Sequence, residues 1–337
     1  MNVLHGALCD DGPEHCAAKA RMQLLARAIE AADCPEVVGL EEIAPWWRTW
    51  LFARAKTLCD GAYHVVSPPV GAFTFDAQTV LSTLPTSNVR RFDLAPRISQ
   101  RRALRLTVDT PNGPMVVVVT HTGTNADDFG NGGVSCSETH DCPPPCDPSG
   151  PAFTCQMLQL RNFAMGDDDR VATIVAGDLN LVPNAPLLRI LTRAGFVDTY
   201  RAAGLPECDP ATGAGCTGGR EDEHVATLRD RGARESARID HIFLLPTEQC
   251  RAEYGPATGL FGARGRWSRR HRVDLRPHGG GARAQLRVVM RARRRRKAPN
   301  TAITGPQMSS FSATIANVMS RAAVLSPTMT CSGSAGS

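Results

Sequence analysis

No apolar run in this 337-residue chain approaches the roughly 20 residues that a bilayer-spanning helix needs. The N-terminus lacks the charged-then-apolar pattern of a signal peptide. No segment repeats. Positive charge is also missing where a nucleic-acid binder would show it. Residues 1–263 hold 23 basic and 32 acidic side chains, a net of −9. Residues 264–337 hold 14 Arg, one Lys and a single acid, Asp274, a net of +14. The overall +5 therefore hides an acidic body and a basic tail. The body's charge does not advertise a polyanion-binding face, although a local basic groove stays compatible with it. Apolar residues make up 42% of the chain, enough for a sizeable core in one large domain or two ordinary ones.

Cysteine, by contrast, is plentiful. There are twelve, several of them close together in Pro/Gly-rich stretches: Cys9 with Cys16, Cys142 with Cys146, and Cys208 with Cys216. That usage favours disulfide-stapled loops and an oxidising compartment. The rival is a zinc knuckle drawn from Cys136, His140, Cys142, Cys146 and Cys155, whose spacing fits no standard zinc pattern. Pairing cannot be deduced from spacing.

Read in order, the chain alternates helical and extended patterns. Apolar spacing predicts a helix over 17–32, and Val37 to Ile43 reads as a buried strand carrying Glu41 and Glu42 at its end. Residues 44–58 are amphipathic, with Trp46, Trp47, Trp50 and Leu51 as a core stripe rather than a stacking platform. Strands are expected at 79–82, 103–108 and 116–120, the last ending in His121. Residues 122–155 form a long Gly/Pro/Cys-rich insertion, and loops of that length are usually functional or flexible. Short helices are expected over 156–165 and 187–194. A strand over 238–244 presents Asp240, which needs a polar partner.

The centre of this pattern is Val171 to Asn180. Val171 to Ala176 is apolar on both faces, as in a strand covered on each side. Gly177 lets the backbone leave the sheet sharply. Asp178 and Asn180 share a parity, so on an extended path both point the same way. A carboxylate there can orient water or bind a metal, and an amide can donate to a phosphoryl oxygen. A lone pair of this kind is equally an Asx turn. Its companions change the weighting: Glu42, His121 and Asp240 also stand at strand ends.

In order and spacing these motifs resemble the endonuclease/exonuclease/phosphatase superfamily, the deoxyribonuclease-like and sphingomyelinase-like metal phosphoesterases. The resemblance runs from residue 1 to about residue 262. It implies a four-layer α/β sandwich, two packed and mostly antiparallel β-sheets flanked by helices, with the active site at one end. It further implies that Asn2 and Glu42 serve the metal and that Arg101, a weaker match, faces substrate phosphate. His121 would contact the phosphate or leaving group, Asp178 would activate water, and Asn180 would stabilise charge on phosphorus. Asp240 matches the carboxylate of an Arg-Ile-Asp-Tyr motif, with His241 in the Tyr position. The family usually has Gln where this chain has Glu41, a departure that adds negative charge near the metal. The implied cofactor is Mg²⁺, or Mn²⁺ or Ca²⁺, and the implied reaction is phosphodiester hydrolysis by water. Substrate stays open between nucleic acid, phospholipid and a small phosphate ester. The apolar candidates for membrane contact in the insertion are only Phe129, Val134 and Phe153. A monomer located outside the cytoplasm is expected.

One family motif is missing. A Ser-Asp-His strand should follow Leu260 and Phe261, but residues 273–279 read Val-Asp-Leu-Arg-Pro-His-Gly. One permitted coding of that peptide, GTG GAC CTC CGA CCA CAC GGG, gives Trp-Thr-Ser-Asp-His-Thr when read from its second base. A frame shift near 262–273 would therefore explain both the lost motif and the Arg-rich tail, and a misassigned start would explain a clipped first strand at residues 1–6. The alternative is a genuine basic, disordered tail that binds anions. On either account the expected division is a catalytic domain over 1–262 and a low-complexity tail over 263–337. As written, the chain is expected to show weak or no activity, or to serve as a catalytically dead binding module.

Overall fold

The computed structural model describes residues 18–43, 45–68, 77–95, 101–123, 135–140, 142–166, 171–218, 236–247, 250–253, 258–259, 284–285, 323–324 and 328–331. Two β-sheets lie face to face with helices on their outer sides. The smaller sheet contains β1 (Val37–Leu40), β2 (His64–Val66) and β3 (Thr79–Ser82) in the order β1-β3-β2. The larger contains β4 (Thr86–Asp93), β5 (Arg102–Thr110), β6 (Gly113–His121), β7 (Thr173–Asp178), β8 (Val197–Asp198) and β9 (Asp240–Leu245). Its order is β4-β5-β6-β7-β9-β8, and only the β6–β7 pair is parallel. This is the mostly antiparallel four-layer sandwich that the resemblance implies.

Alternation along each strand builds the layers. Val38 and Leu40 of β1, with Leu81 of β3, face α1 (Ala18–Ala31) and α2 (Pro45–Ala55), packing on Met22, Leu25, Ile29 and Leu51. Trp47 and Trp50 are half-buried against that cluster, in keeping with a packing role. The space between the sheets is filled by Val80, Leu104, Leu106, Val108, Val117 and Val119. The sheets approach most closely at Gly39, where an added Cβ would lie 2.8 Å from Val119 Cγ2. On the far face Ala103, Val118, Val175 and Phe243 pack on Met157, Leu160 and Leu191 of α4 (Ala152–Met165) and α5 (Arg189–Thr192).

Several boundaries differ from the sequence expectation for physical reasons. β1 stops at Leu40 because Glu42 takes φ 58° and turns the chain out of the sheet. Helix α4 begins at Ala152, after Pro151, which is placed as its N-cap. Phe153, a candidate for membrane contact, is thereby buried in the core. The helix expected over 187–194 is a 3₁₀ turn at Pro186–Leu188 followed by the single turn of α5. The insertion carries the short helix α3 (Cys136–Thr139), closed by a Ser135–Glu138 capping box.

Four disulfides tie the described loops: Cys34–Cys59, Cys136–Cys142, Cys146–Cys155 and Cys208–Cys216. The Cys136, Cys142 and Cys155 sulfurs lie together, but each is in a disulfide and so is no thiolate ligand for zinc. His140 of the alternative knuckle is exposed. Beyond β9 run the short strands β10 (Cys250–Glu253), β11 (Thr258–Gly259), β12 (Ala284–Gln285), β13 (Ala323–Val324) and β14 (Thr328–Cys331), in the sheet orders β10-β14-β12 and β11-β13. Asn2, Trp46's side chain, Cys9, Cys16, Phe129, Val134 and the 273–279 peptide lie outside the described residues.

Candidate active site

The register of the large sheet places the polar strand ends in one lateral row. Arg102 of β5 pairs with His121 of β6, His121 with Asp178 of β7, and Asp178 with Asp240 of β9. Directly paired residues share a face. The row has the same parity as Leu104, Val117 and Val119, so it continues the inter-sheet face to the sandwich's end. There it meets Glu41 and Glu42, which leave the end of β1. Sequence separations of over a hundred residues collapse because five strands end at one level.

Contacts within the cluster are short. Glu42 Oε1 is 3.6 Å from His121 Nδ1, and Asp178 Oδ2 is 3.8 Å from His121 Nε2. Arg101 Nη1 lies 2.9 Å from both ring nitrogens of His121, which places the guanidinium in the site. Glu42, His121 and Asp178 are buried, and Asp240 is half-buried. Asn180 N donates to Asp178 Oδ1 at 2.9 Å, the Asx turn considered for this motif. Asn180 Nδ2 donates to Thr122 O at 2.8 Å, so one amide hydrogen anchors the side chain. Asn180 holds φ 50°, a left-handed conformation that Asn tolerates; the same region at Glu42 costs about 1 kcal/mol. Strain of this kind concentrates at functional sites.

Glu41 adjoins Asp178 at the base of the cluster. It is fully buried, and its Oε2 accepts from Asp178 N at 3.1 Å. Burial is the main cause that pushes its carboxyl up to about 8, with the charges of Asp240 and Asp178 adding to it. Burial thus favours the protonated carboxyl, which is nearly isosteric with the Gln usual at this position.

Sequence reasoning missed the supports. Gln156 and Gln159 of α4 are both buried, and their Oε1 atoms accept from Gly123 N at 2.7 Å and Ala95 N at 2.9 Å. Two Gln three residues apart on the buried face of the helix, among Phe153, Met157 and Leu160, were the available signal. On the helix side of the sheet, Arg238 is 2% exposed and forms a second polar cluster. Its Nη2 donates to Asp198 Oδ2 at 2.8 Å, its Nε to Glu207 Oε2 at 3.1 Å, and it stacks over the Tyr200 ring at 4.7 Å. Asp198 also caps α6 (Thr199–Ala202), accepting from Tyr200 N. Burial opposes ionisation of Asp198, but the adjacent His241 and the hydrogen-bonded Arg238 guanidinium outweigh it and hold the carboxyl down at about 2. A depressed carboxyl contributes stability that is complete above its unfolded pKa and is lost as pH falls through the folded one. The contribution is about 2 kcal/mol. We expect the stability gap between native protein and Asp198→Asn, read from urea melts, to shrink by about that amount between pH 5 and pH 2. A constant gap would show that Asp198 is not so paired.

The sequence matches the Endonuclease/Exonuclease/phosphatase family over residues 1–274. The chain belongs to this family. Among solved structures it is similar to humanized D. rerio TDP2 carrying 14 mutations, at 16% identity and a TM-score of 0.50, over 77% of this chain and 88% of that one. It is likewise similar to D. rerio TDP2 complexed with single strand DNA product, at 15% identity and a TM-score of 0.50, over 73% and 86%. At such identities the likeness concerns the fold alone. No curated protein matches at a significant level. Enzymes of the family are typically hydrolases of phosphoester bonds and generally use divalent metals.

Proposed function

We propose that this chain is a divalent-metal-dependent phosphodiesterase of nuclease-like type. The observation that carries the proposal is the row His121–Asp178–Asp240 facing Glu42 at the mouth of the sandwich. The donor set tests the metal requirement. Carboxylate oxygens are hard ligands, and Mg²⁺ is commonly held by one or two carboxylates while keeping several waters. Glu42, with Asn2 outside the described residues, fits that pattern; Mn²⁺ and Ca²⁺ are compatible. Bound there, such an ion would neutralise a phosphoryl oxygen and stabilise the leaving alkoxide.

The chain's own residues do the rest. Asp178 Oδ1 accepts from Asn180 N, which orients the carboxylate, and Oδ2, beside His121, would orient water and take its proton. The second amide hydrogen of Asn180 can meet the charge growing on phosphorus. His121 and Arg101 together present nitrogen donors to phosphate oxygens. Asp240 would hold the partner group on the far side of Asp178. Nucleic acid is the substrate we favour over phospholipid. Phe153, one of three apolar candidates for membrane contact, is buried, and a TDP2 of the same fold is known with a single-strand DNA product. The four disulfides support an extracytoplasmic location.

A second reading, a binding module without catalysis, is favoured by one feature: the absence of Ser-Asp-His. Bis-p-nitrophenyl phosphate distinguishes the two. We expect hydrolysis that needs Mg²⁺, disappears with chelator, and falls at least about 100-fold in Glu42→Gln. Mg²⁺-independent hydrolysis, or hydrolysis unchanged in Glu42→Gln, would rule out this site. Calorimetric Mg²⁺ binding that Glu42→Gln abolishes, with no turnover, would favour the second reading. Resequencing the gene through codon 300 then decides whether Ser-Asp-His is recovered in frame.

A further inference from the structure

We propose that Thr217 is a positioning residue for Asp240, held in place by the Cys208–Cys216 disulfide and the buried Arg238. The inference rests on the phosphodiesterase reading for its catalytic consequence. Its structural part stands independently.

Strand β9 begins at Asp240, two residues later than the apolar pattern predicts. The cause is that the backbone before it is bound by a side chain instead of a strand. Thr217 Oγ1 accepts from Ile239 N at 3.1 Å and from Asp240 N at 3.0 Å. One hydroxyl thus fixes both peptide units that lead into the carboxylate. Thr217 is itself fixed, since its N donates to Ala237 O at 2.8 Å and the adjoining Gly218 forms a bridge with Ala237.

The segment that delivers Thr217 is closed at both ends. Cys216 and Cys208 are joined, and Asp209 bridges to Ala214 inside the ring. Glu207, next to the disulfide, accepts from Arg238 Nε and from Arg201 Nε. Arg238 lies two residues before Asp240 and is buried with Asp198, so its guanidinium cannot leave without stranding a carboxylate. His241 Nε2 donates to Leu181 O at 2.6 Å, and Leu179 N donates to Ile239 O at 3.0 Å. These two bonds tie β9 to the turn that carries Asp178 and Asn180. Arg238 and His241 lie on the helix side of the sheet, opposite Asp240. They and Thr217 thus set where the carboxylate stands without entering the site.

Valine has nearly the shape of threonine but lacks the hydroxyl, so Thr217→Val removes the two bonds with little change of shape. Thr217→Ser restores the acceptor. We expect Thr217→Val to lower kcat on bis-p-nitrophenyl phosphate about 10-fold with KM within about twofold, because displacement of a reacting group acts on the transition state more than on binding. Thr217→Ser should recover most of it. Hydrogen exchange gives a readout independent of turnover. The amides of Ile239 and Asp240 should exchange at least about 10-fold faster in Thr217→Val and at the native rate in Thr217→Ser. Reduction of the native protein by dithiothreitol should move the same two amides in the same direction. Native exchange in Thr217→Val overturns the positioning role. Faster exchange with unchanged kcat overturns its catalytic consequence. A native chain with no hydrolysis contradicts the phosphodiesterase reading, and the exchange comparison still decides what Thr217 holds.

Discussion

Asp178→Asn lowers kcat/KM for phosphodiester hydrolysis about 1,000-fold and leaves the melting temperature unchanged or higher. The two halves of this expectation have separate causes. Asparagine keeps the shape and keeps an oxygen for the Asn180 amide hydrogen, so the turn after β7 persists. It removes the negative charge placed 3.8 Å from His121 Nε2 and directly opposite Asp240 across the β7–β9 pair. Proton transfer and water orientation at Oδ2 go with it. Stability is not expected to suffer in a metal-free melt, because Asp178 stands beside two other carboxylates, Glu42 across His121 and Asp240 across the β7–β9 pair. Its charge is one of the causes that raise the Glu41 carboxyl. Steady-state kinetics with Mg²⁺ and a thermal melt without it test both halves. A variant with native kcat/KM would remove Asp178 from the reaction. A variant that melts well below the native protein would show that its charge is structural.

The largest effect on stability is expected one residue earlier, at Gly177. An added Cβ would lie 1.8 Å from Thr120 O and 2.7 Å from Glu41 Oε1, and the backbone holds φ 154°. Thr120 is paired with Gly177 in the parallel β6–β7 ladder, so the clash is with backbone that cannot swing aside. Gly177→Ala must push apart the two central strands or expel Glu41 from its buried place. Either route costs about 4 kcal/mol or more, the range of severe core disruption. Chemical denaturation measures it. A loss under about 1 kcal/mol would mean that the two strands are less tightly joined at this level. The same substitution disturbs Asp178 and His121, which pair at the next level, so hydrolysis should vanish with stability.

Much of this site was legible in the chain itself. The strand ending in Asp178, the short strand before Glu41 and the run ending at His121 are each recognisable because a fully covered strand must be apolar on both faces. A polar residue at its end is then conspicuous. The family resemblance followed from the order of those ends. Less legible were the turns that make the groups converge. Nothing local indicates that Glu42 would adopt a left-handed conformation, or that Thr217 would bind the approach to Asp240 from 23 residues away.

Glu41 shows the limit most clearly. Its identity predicts a charge, whereas its burial between the sheets favours the protonated form. Charge state depends on solvent exclusion and on neighbours distant in sequence, and both come into being only when the layers close. Composition, by itself, determined that the chain has an acidic body, a basic end and enough cysteine for stapled loops. Periodicity determined which segments are strands and which polar groups end them, because alternation is a property of neighbouring residues. Only the tertiary structure decided that His121, Asp178 and Asp240 stand side by side, that Cys136 pairs with Cys142, and that Arg238 is buried behind the site. These depend on strand order and register, which are fixed by packing between residues far apart in the chain.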